Sequence, residues 1–292
     1  LAAIILGTLG YLCAIFLTIL AGQVIMHGLL TGVAGMIVPM DNMWRVFTPV
    51  KTIITVMIVI AVLRGILHYV EQYCNHFIAF KLLAIIRHKV FAALRKLCPA
   101  KLEGRDKGNL ISIITTDIEL LEVFYAHTIS PIAIATLTSI IMVIFIGRYH
   151  WLAGMLALAA YLIVGVAIPM WNGKRGSQKG MEFRTNFGEL NSFVLDSLRG
   201  LDETIQYGQG EKRKEQMSER SKNLAGMQES LSKMEGSQRS FTNMVILLAS
   251  FGMLALTIWL YDKGAMGFEG ILTCTIAMMG SFGPVVALSS LS

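Results

Sequence analysis

Six stretches of this chain, residues 1–26, 50–63, 131–147, 151–171, 244–261 and 270–288, carry almost no charge. This bunching limits the fold more than any other feature. A helix needs about 20 mostly apolar residues to cross a bilayer, so the stretches read as six spans. The composition agrees: 54% of residues are hydrophobic and 15% charged, against about 25% charged in soluble domains. The expected fold class is therefore an all-α membrane protein of six transmembrane helices. The first stretch starts at Leu1 with no basic region before it and no small-residue cleavage site after it, so it is read as a span and not a signal peptide. The sixth runs on to Ser292 without a polar exit, and both ends are expected to be cuts in a longer chain.

The charges are distributed unevenly. Of 25 Lys and Arg, only Arg45, Lys51, Arg148 and Lys263 fall in the segments after spans one, three and five. Arg64 lies inside span two, and the other 20 lie between spans two and three or between four and five. Cationic loops stay on the cytoplasmic side, so both chain ends and both long polar segments are expected there. The net charge of +6 is thus a membrane-topology signal and does not imply nucleic acid. Cys13, Cys74, Cys98 and Cys274 are scattered without a CxxC pair and read as small apolar fillers.

The polar segments are themselves helical in pattern. Between Tyr69 and Leu97 there is no Pro or Gly, and Leu82, Leu83, Ile86, Val90, Ala93, Leu94 and Leu97 recur at helical spacing. After a break at Pro99 and Gly104, the pattern resumes from Leu110 to Phe124. The second segment repeats the plan: Phe183, Phe187, Leu190, Phe193, Val194 and Leu198 lead out, and glycines 200, 208 and 210 break the helix. Met217, Leu224, Met227, Leu231, Met234 and Phe241 then return in a heptad-like series. About 28 residues per stalk, at about 1.5 Å each, make extensions of roughly 40 Å. Two long helical hairpins are expected, with irregular tips at Cys98–Lys107 and Gly200–Gly208.

Six spans with tight external turns and two long hairpins resemble the transmembrane domain of type I exporters of the ATP-binding cassette (ABC) class. Local sequence supports the resemblance. Gly108-Asn109-Leu110-Ile111-Ser112 with Asp117 and Leu121 is similar to the family's GxLxSRxxxDxxxL segment, with Ile113 where the family has Arg. The string His68-Tyr69-Val70-Glu71-Gln72-Tyr73-Cys74-Asn75-His76, followed by Phe80, Leu83, Arg87 and Pro99-Ala100-Lys101-Leu102, resembles the CydC side of the cytochrome bd assembly transporters. His68 and Gln72 replace two family arginines.

The resemblance implies several things. The domain 1–292 would precede a fused nucleotide-binding domain carrying ATP and Mg, in the inner membrane of a prokaryote. A second half would complete the transporter, as a homodimer or with a CydD-like partner. Pro99, Ala100, Lys101, Leu102, Glu103 and Gly104 in one tip, and Leu201, Asp202, Glu203, Thr204, Ile205, Gln206 and Tyr207 in the other, would form coupling helices that dock on the ATPase. The cargo would be haem, met by His76, or a small thiol; apart from the resemblance, the apolar cavity leaves a lipid, peptide or drug open.

Read from the residues alone, Arg64, His68, Glu71, Gln72, Asn75 and His76 form one polar stripe on span two. Ionisable groups within spans usually face a cavity, so the stripe is a candidate substrate surface, with Glu71 pairing to Arg64 or His68; the alternative is that 71–76 lies at headgroup level and is solvated, or makes interhelical pairs. A lone six-helix half would leave this stripe facing lipid, which argues for a dimer. Gly283-Pro284 in span six is the candidate hinge. No catalytic or metal-binding motif occurs in the chain, and it holds no ATP site of its own. Two other classes compete. A secondary transporter or channel predicts short cytoplasmic loops and charges on several spans, and a membrane sensor predicts an output domain downstream.

Overall fold

A computed structural model describes residues 1–35, 43–97 and 128–289. Every regular element among them is helical. The helices are α1 (Ala2–Gly35), α2 (Met43–Leu97), α3 (Ser130–Gly147), α4 (Trp151–Leu162), α5 (Ile168–Arg199), α6 (Leu201–Gln206), α7 (Gly210–Asp262), α8 (Phe268–Ser281) and α9 (Gly283–Ser289). A π-helical segment, Ile163–Ala167, joins α4 to α5. Six segments are long and apolar enough to cross a membrane. α2 has 55 residues and α7 has 53, each about 80 Å long. A hydrocarbon core is about 30 Å thick, so both outrun it, as the unbroken Tyr69–Leu97 pattern requires. The tip Cys98–Lys107 and the returning segment 110–124 lie outside the described residues.

The chain divides into two compact units. The first comprises Leu1–Gly165 and Ile246–Leu291. Within it α1 packs against α2, α3 and α8, and α9 packs against α3. Ile15, Met142, Ile146, Val164, Met253, Cys274 and Met278 are among its fully buried side chains. Cys274 is thus a core filler, as its apolar context suggests.

Small residues set the helix spacing. In lipid the hydrophobic effect gives helices no reason to associate, and close backbone approach does much of the work. α3 and α4 meet at Gly147 and Gly154, where a Cβ on Gly154 would come 2.8 Å from the Gly147 Cα. The turn between them is closed by His150, whose extended backbone caps α4 and whose Nδ1 accepts from the Leu152 N–H at 3.2 Å. The turn after α7 passes through Gly264 at φ +71, a left-handed conformation that glycine adopts without a side-chain clash.

The second unit, Val166–Val245, is a hairpin of α5 and the first part of α7, with α6 at its tip. Met217, Leu224, Met227, Leu231 and Met234 are all half-buried, as the heptad reading expects. At the end of the series Thr242 is buried and Phe241 is exposed. On α5 the inner face is Phe183, Asn186, Leu190, Phe193, Val194 and Ser197, whereas Phe187 and Leu198, expected inside, are exposed. At about 100° per residue, these two stand roughly 70–90° round from the centre of the packed face. The Arg213 and Arg220 guanidiniums lie 4.8 and 4.7 Å from the Phe193 ring centroid, two cation–π contacts that fasten α7 to α5.

Replacing Gly154 with Val is expected to lower thermal stability strongly, because its Cβ meets backbone that cannot give way. Overpacking of this kind costs about 1–3 kcal/mol. Gly188→Ala, where nothing lies within 4 Å, is expected to be neutral or slightly stabilising. Melting of the purified variants in detergent measures both, and equal melting points would contradict the packing described.

Candidate functional site: a polar cavity between the first two spans

α1 has a nearly uniform apolar surface, but Gly7 and Gly10 leave a gap in it. Beside Gly7 it is filled by the Ile134 side chain of α3 and by Glu71 of α2. A cavity of about 380 Å³ lies between the helices, lined by Gly7, Gly10 and Tyr11 of α1 and by Ala61, Arg64, Gly65, His68 and Glu71 of α2. Glu71 is only 6% exposed, an expensive position for a carboxylate in a span unless it is paired. Its own helix supplies the partners. His68 Nδ1 lies 3.2 Å from Oε2, one turn before it, and the Asn75 side-chain amide donates to Oε1 at 3.5 Å, one turn after it. Of the two partners expected for Glu71, His68 is the one bonded. The carboxylate also fits closely against α1: a Cβ on Gly7 would sit 3.0 Å from the Glu71 Cδ.

The expected six-residue stripe divides in two. At about 100° per residue, positions 64, 68, 71 and 75 fall within about 60° of one another, while 72 and 76 lie about 100° and 140° round from Glu71. Accordingly Arg64, His68 and Glu71 line the cavity and Asn75 braces the carboxylate. Gln72 and His76 are exposed, the His76 ring stacking beside Phe80 at 6.1 Å. The glycines and Tyr11 were not foreseen. In the sequence only the Gly7-x-x-Gly10 spacing on an otherwise bulky helix hints at a gap.

Tyr11 has a second neighbour. A Cβ on Gly283 would lie 3.7 Å from the Tyr11 Cε1, so one wall of the cavity touches the point where span six is interrupted. α8 ends at Ser281 and α9 begins at Gly283, so the helix breaks immediately before the Gly283-Pro284 pair.

The other exposed feature is the tip of the second hairpin. Residues 201–206 fold as the short helix α6, with Asp202 and Glu203 in its first turn, where acidic side chains complement the helix dipole. Thr204 Oγ1 donates to the Gly200 carbonyl at 2.7 Å, and Gly208 closes the turn at φ +63. Leu198, Leu201, Ile205 and Tyr207 are 63%, 48%, 68% and 74% exposed. Pro99 to Gly104, the corresponding residues of the first tip, lie outside the described residues. Among the described residues no group of three His, Cys, Asp or Glu is placed to hold a metal ion.

Comparison with known proteins matches residues 1–285 to the ABC transporter transmembrane region. The chain is 40% identical to a probable ABC transporter ATP-binding/permease protein of Haemophilus influenzae over 292 residues, which are 99% of this chain and 50% of that protein. It is 23% identical to an ATP-dependent lipid A-core flippase of Shewanella denitrificans over 50% of this chain and 24% of the flippase. It is 24% identical to the glutathione/L-cysteine transport system ATP-binding/permease protein CydD of Escherichia coli over 54% of this chain and 26% of CydD. The chain spans half or less of the length of each.

The α1–α2 contact beside the cavity is testable by cross-linking. A Cβ on Gly10 would lie 3.8 Å from the Leu67 Cβ, the mean separation in disulfides, about 3.8 Å. In a background lacking the native cysteines, a Gly10→Cys/Leu67→Cys pair is expected to cross-link on mild oxidation, and Gly10→Cys/Phe77→Cys is not. Failure of the first pair, or equal yields for both, would contradict the helix register.

Proposed function

The chain belongs to the ABC transporter transmembrane region family, and from that premise we propose that it is the membrane half of an ATP-driven exporter. It moves a small or amphipathic substrate by alternating access. The observation that carries this reading is the tip of the second hairpin. Four large apolar side chains stand exposed between residues 198 and 207, at the end of a helical pair far too long to serve only as a connection between spans. A surface of that kind is half of a contact. A nucleotide-binding domain downstream is the fitting partner. The H. influenzae relative, of which this chain covers half, is named as both ATP-binding and permease. ATP and Mg²⁺ would be held by that domain, and its closure would push on α6.

The 20 Lys and Arg of the two long polar segments support an orientation with the hairpins and both ends of this chain in the cytoplasm of a bacterial cell. Arg64 and His68, exposed on α2 where lipid would otherwise meet a charge and an imidazole, support a second half, identical or CydD-like, that completes the transporter. The cavity presents a guanidinium, a carboxylate, an imidazole and a phenol in a volume of about 380 Å³. That chemistry suits a small zwitterion, with its carboxylate toward Arg64 and its ammonium toward Glu71. Glutathione and cysteine, after which the E. coli relative is named, meet this description. Haem, the other cargo implied by the likeness to CydC, would be ligated by His76, exposed beside Phe80 and outside the cavity lining.

In the full-length protein, Ile205→Asp with Tyr207→Ala is expected to leave nucleotide binding intact and to cut substrate-stimulated ATP hydrolysis by about tenfold, about 1.4 kcal/mol of coupling. Unchanged stimulation would remove the tip from the mechanism. Stimulation by glutathione that survives Arg64→Ala would contradict the cavity as its site. Equal stimulation by haem in wild type and His76→Ala would exclude ligation by His76.

A further inference from the structure

Spans four and six contain the same spacing in different letters: Gly165 precedes Pro169 by four residues, and Gly280 precedes Pro284 by four. In a helix each N–H donates to the carbonyl four residues back. Proline has no N–H, and its ring collides with that carbonyl. Both helices register the fault. Span four widens into the π segment Ile163–Ala167, and span six stops at Ser281 and restarts at Gly283.

The two faults lie against each other. The Tyr161 and Ser281 hydroxyls share a hydrogen bond in which both residues are buried. The Tyr161 ring meets Phe282 edge-on, with centroids 5.4 Å apart and planes at 70°. One turn further along, a Cβ on Gly165 would lie 3.0 Å from the Val285 Cγ1. Both pairs are separated by the same number of residues, so the helices run in the same direction and in register through their breaks. The bond also bridges the faults from one side, since Tyr161 precedes the π segment and Ser281 precedes the interruption.

We propose that the two proline breaks form a single joint, pinned by the Tyr161–Ser281 hydrogen bond, at which spans four and six bend together during transport. An apolar pair here would fix the helices by shape alone. One hydroxyl pair inside a membrane protein biases a two-state equilibrium by only about three- to twentyfold, which holds a resting state and still yields to a motor. Tyr11 extends the joint to the cavity, because it lines the cavity and its ring stands beside Gly283, 3.7 Å from where a Cβ there would lie. A bound substrate and the bend in span six therefore act on the same side chain. The joint rests on the exporter reading for its role in a cycle, and on this chain's packing for its existence.

The test uses full-length protein in lipid nanodiscs, with spin labels at Met155 and Met181, both exposed and on opposite sides of the π segment. Distances are measured without nucleotide and with ATP plus vanadate. The wild type is expected to change its distance distribution between the two states. Tyr161→Phe, which keeps the ring, and Ser281→Ala are each expected to shift the nucleotide-free population at least about threefold toward the trapped one. The double variant should shift it no further than the larger of the two single shifts, because the Tyr161–Ser281 bond is lost in all three; the bond that Ser281 also donates to the Met278 carbonyl lies within its own helix.

Variants that remain folded and hydrolyse ATP with an unshifted distribution would overturn the joint, as would additive effects in the double variant. A wild type that hydrolyses ATP with no change in distance would also overturn the joint and leave the exporter reading standing. A wild type with no ATP hydrolysis would overturn the exporter reading and, with it, the joint's place in a cycle.

Discussion

The constraint behind this structure is that a peptide group in hydrocarbon has no water to bond to. An α-helix satisfies every N–H and C=O within one segment, so the spans are helices whatever their side chains do. Departures from regular helix then carry meaning, because each is costly and must be supported by its neighbours. Two departures occur among the described spans, the π segment Ile163–Ala167 and the interruption between Ser281 and Gly283. They support each other through Tyr161, Ser281 and Phe282. Charges in the spans obey the same economy: Glu71 is tolerated because His68 and Asn75 engage its two oxygens.

The architecture was legible in the sequence because it depends on coarse quantities. Runs of apolar residues locate the spans, and the absence of Pro and Gly from Tyr69 to Leu97 fixes α2 as one rod that leaves the bilayer. The half-buried Met217, Leu224, Met227, Leu231 and Met234 follow from heptad spacing alone. Faces were less legible than helices. Phe187 and Leu198 are apolar enough to read as seam residues, yet Asn186 and Ser197 take those positions because rotation about the helix axis, and not hydropathy, decides which side is packed. Ser197 can be buried cheaply, since its hydroxyl bonds to the Phe193 carbonyl at 2.7 Å.

The cavity was half legible for a related reason. A polar residue in a span announces itself, so Arg64, His68 and Glu71 stand out. The wall opposite them is made of what α1 lacks, two glycine side chains, and of a tyrosine that looks ordinary in an apolar helix. Which members of the stripe belong to the cavity also depended on where α1 packs, which the spacing of α2 alone does not fix. Gln72 and His76 share the helix and the polarity of Glu71 but point away from its partner.

These parts connect within the first unit. The cavity lined by Arg64 and Glu71 includes Tyr11, Tyr11 stands beside the break at Gly283, and that break is held to span four. In the function proposed here, the hairpin of the second unit would supply the other requirement of an ATP-driven transporter, a surface for a motor to push on. Its Leu201, Ile205 and Tyr207 are the exposed apolar side chains on which that proposal rests.

That requirement is the central claim, and amide hydrogen exchange at Leu201–Tyr207 tests it most directly. In the full-length protein the amides of this short helix should exchange about tenfold or more slowly than in the protein lacking its downstream domain, because docking holds the tip closed. Equal exchange in the two forms would mean that nothing covers the tip, and that the hairpin is not the lever described here.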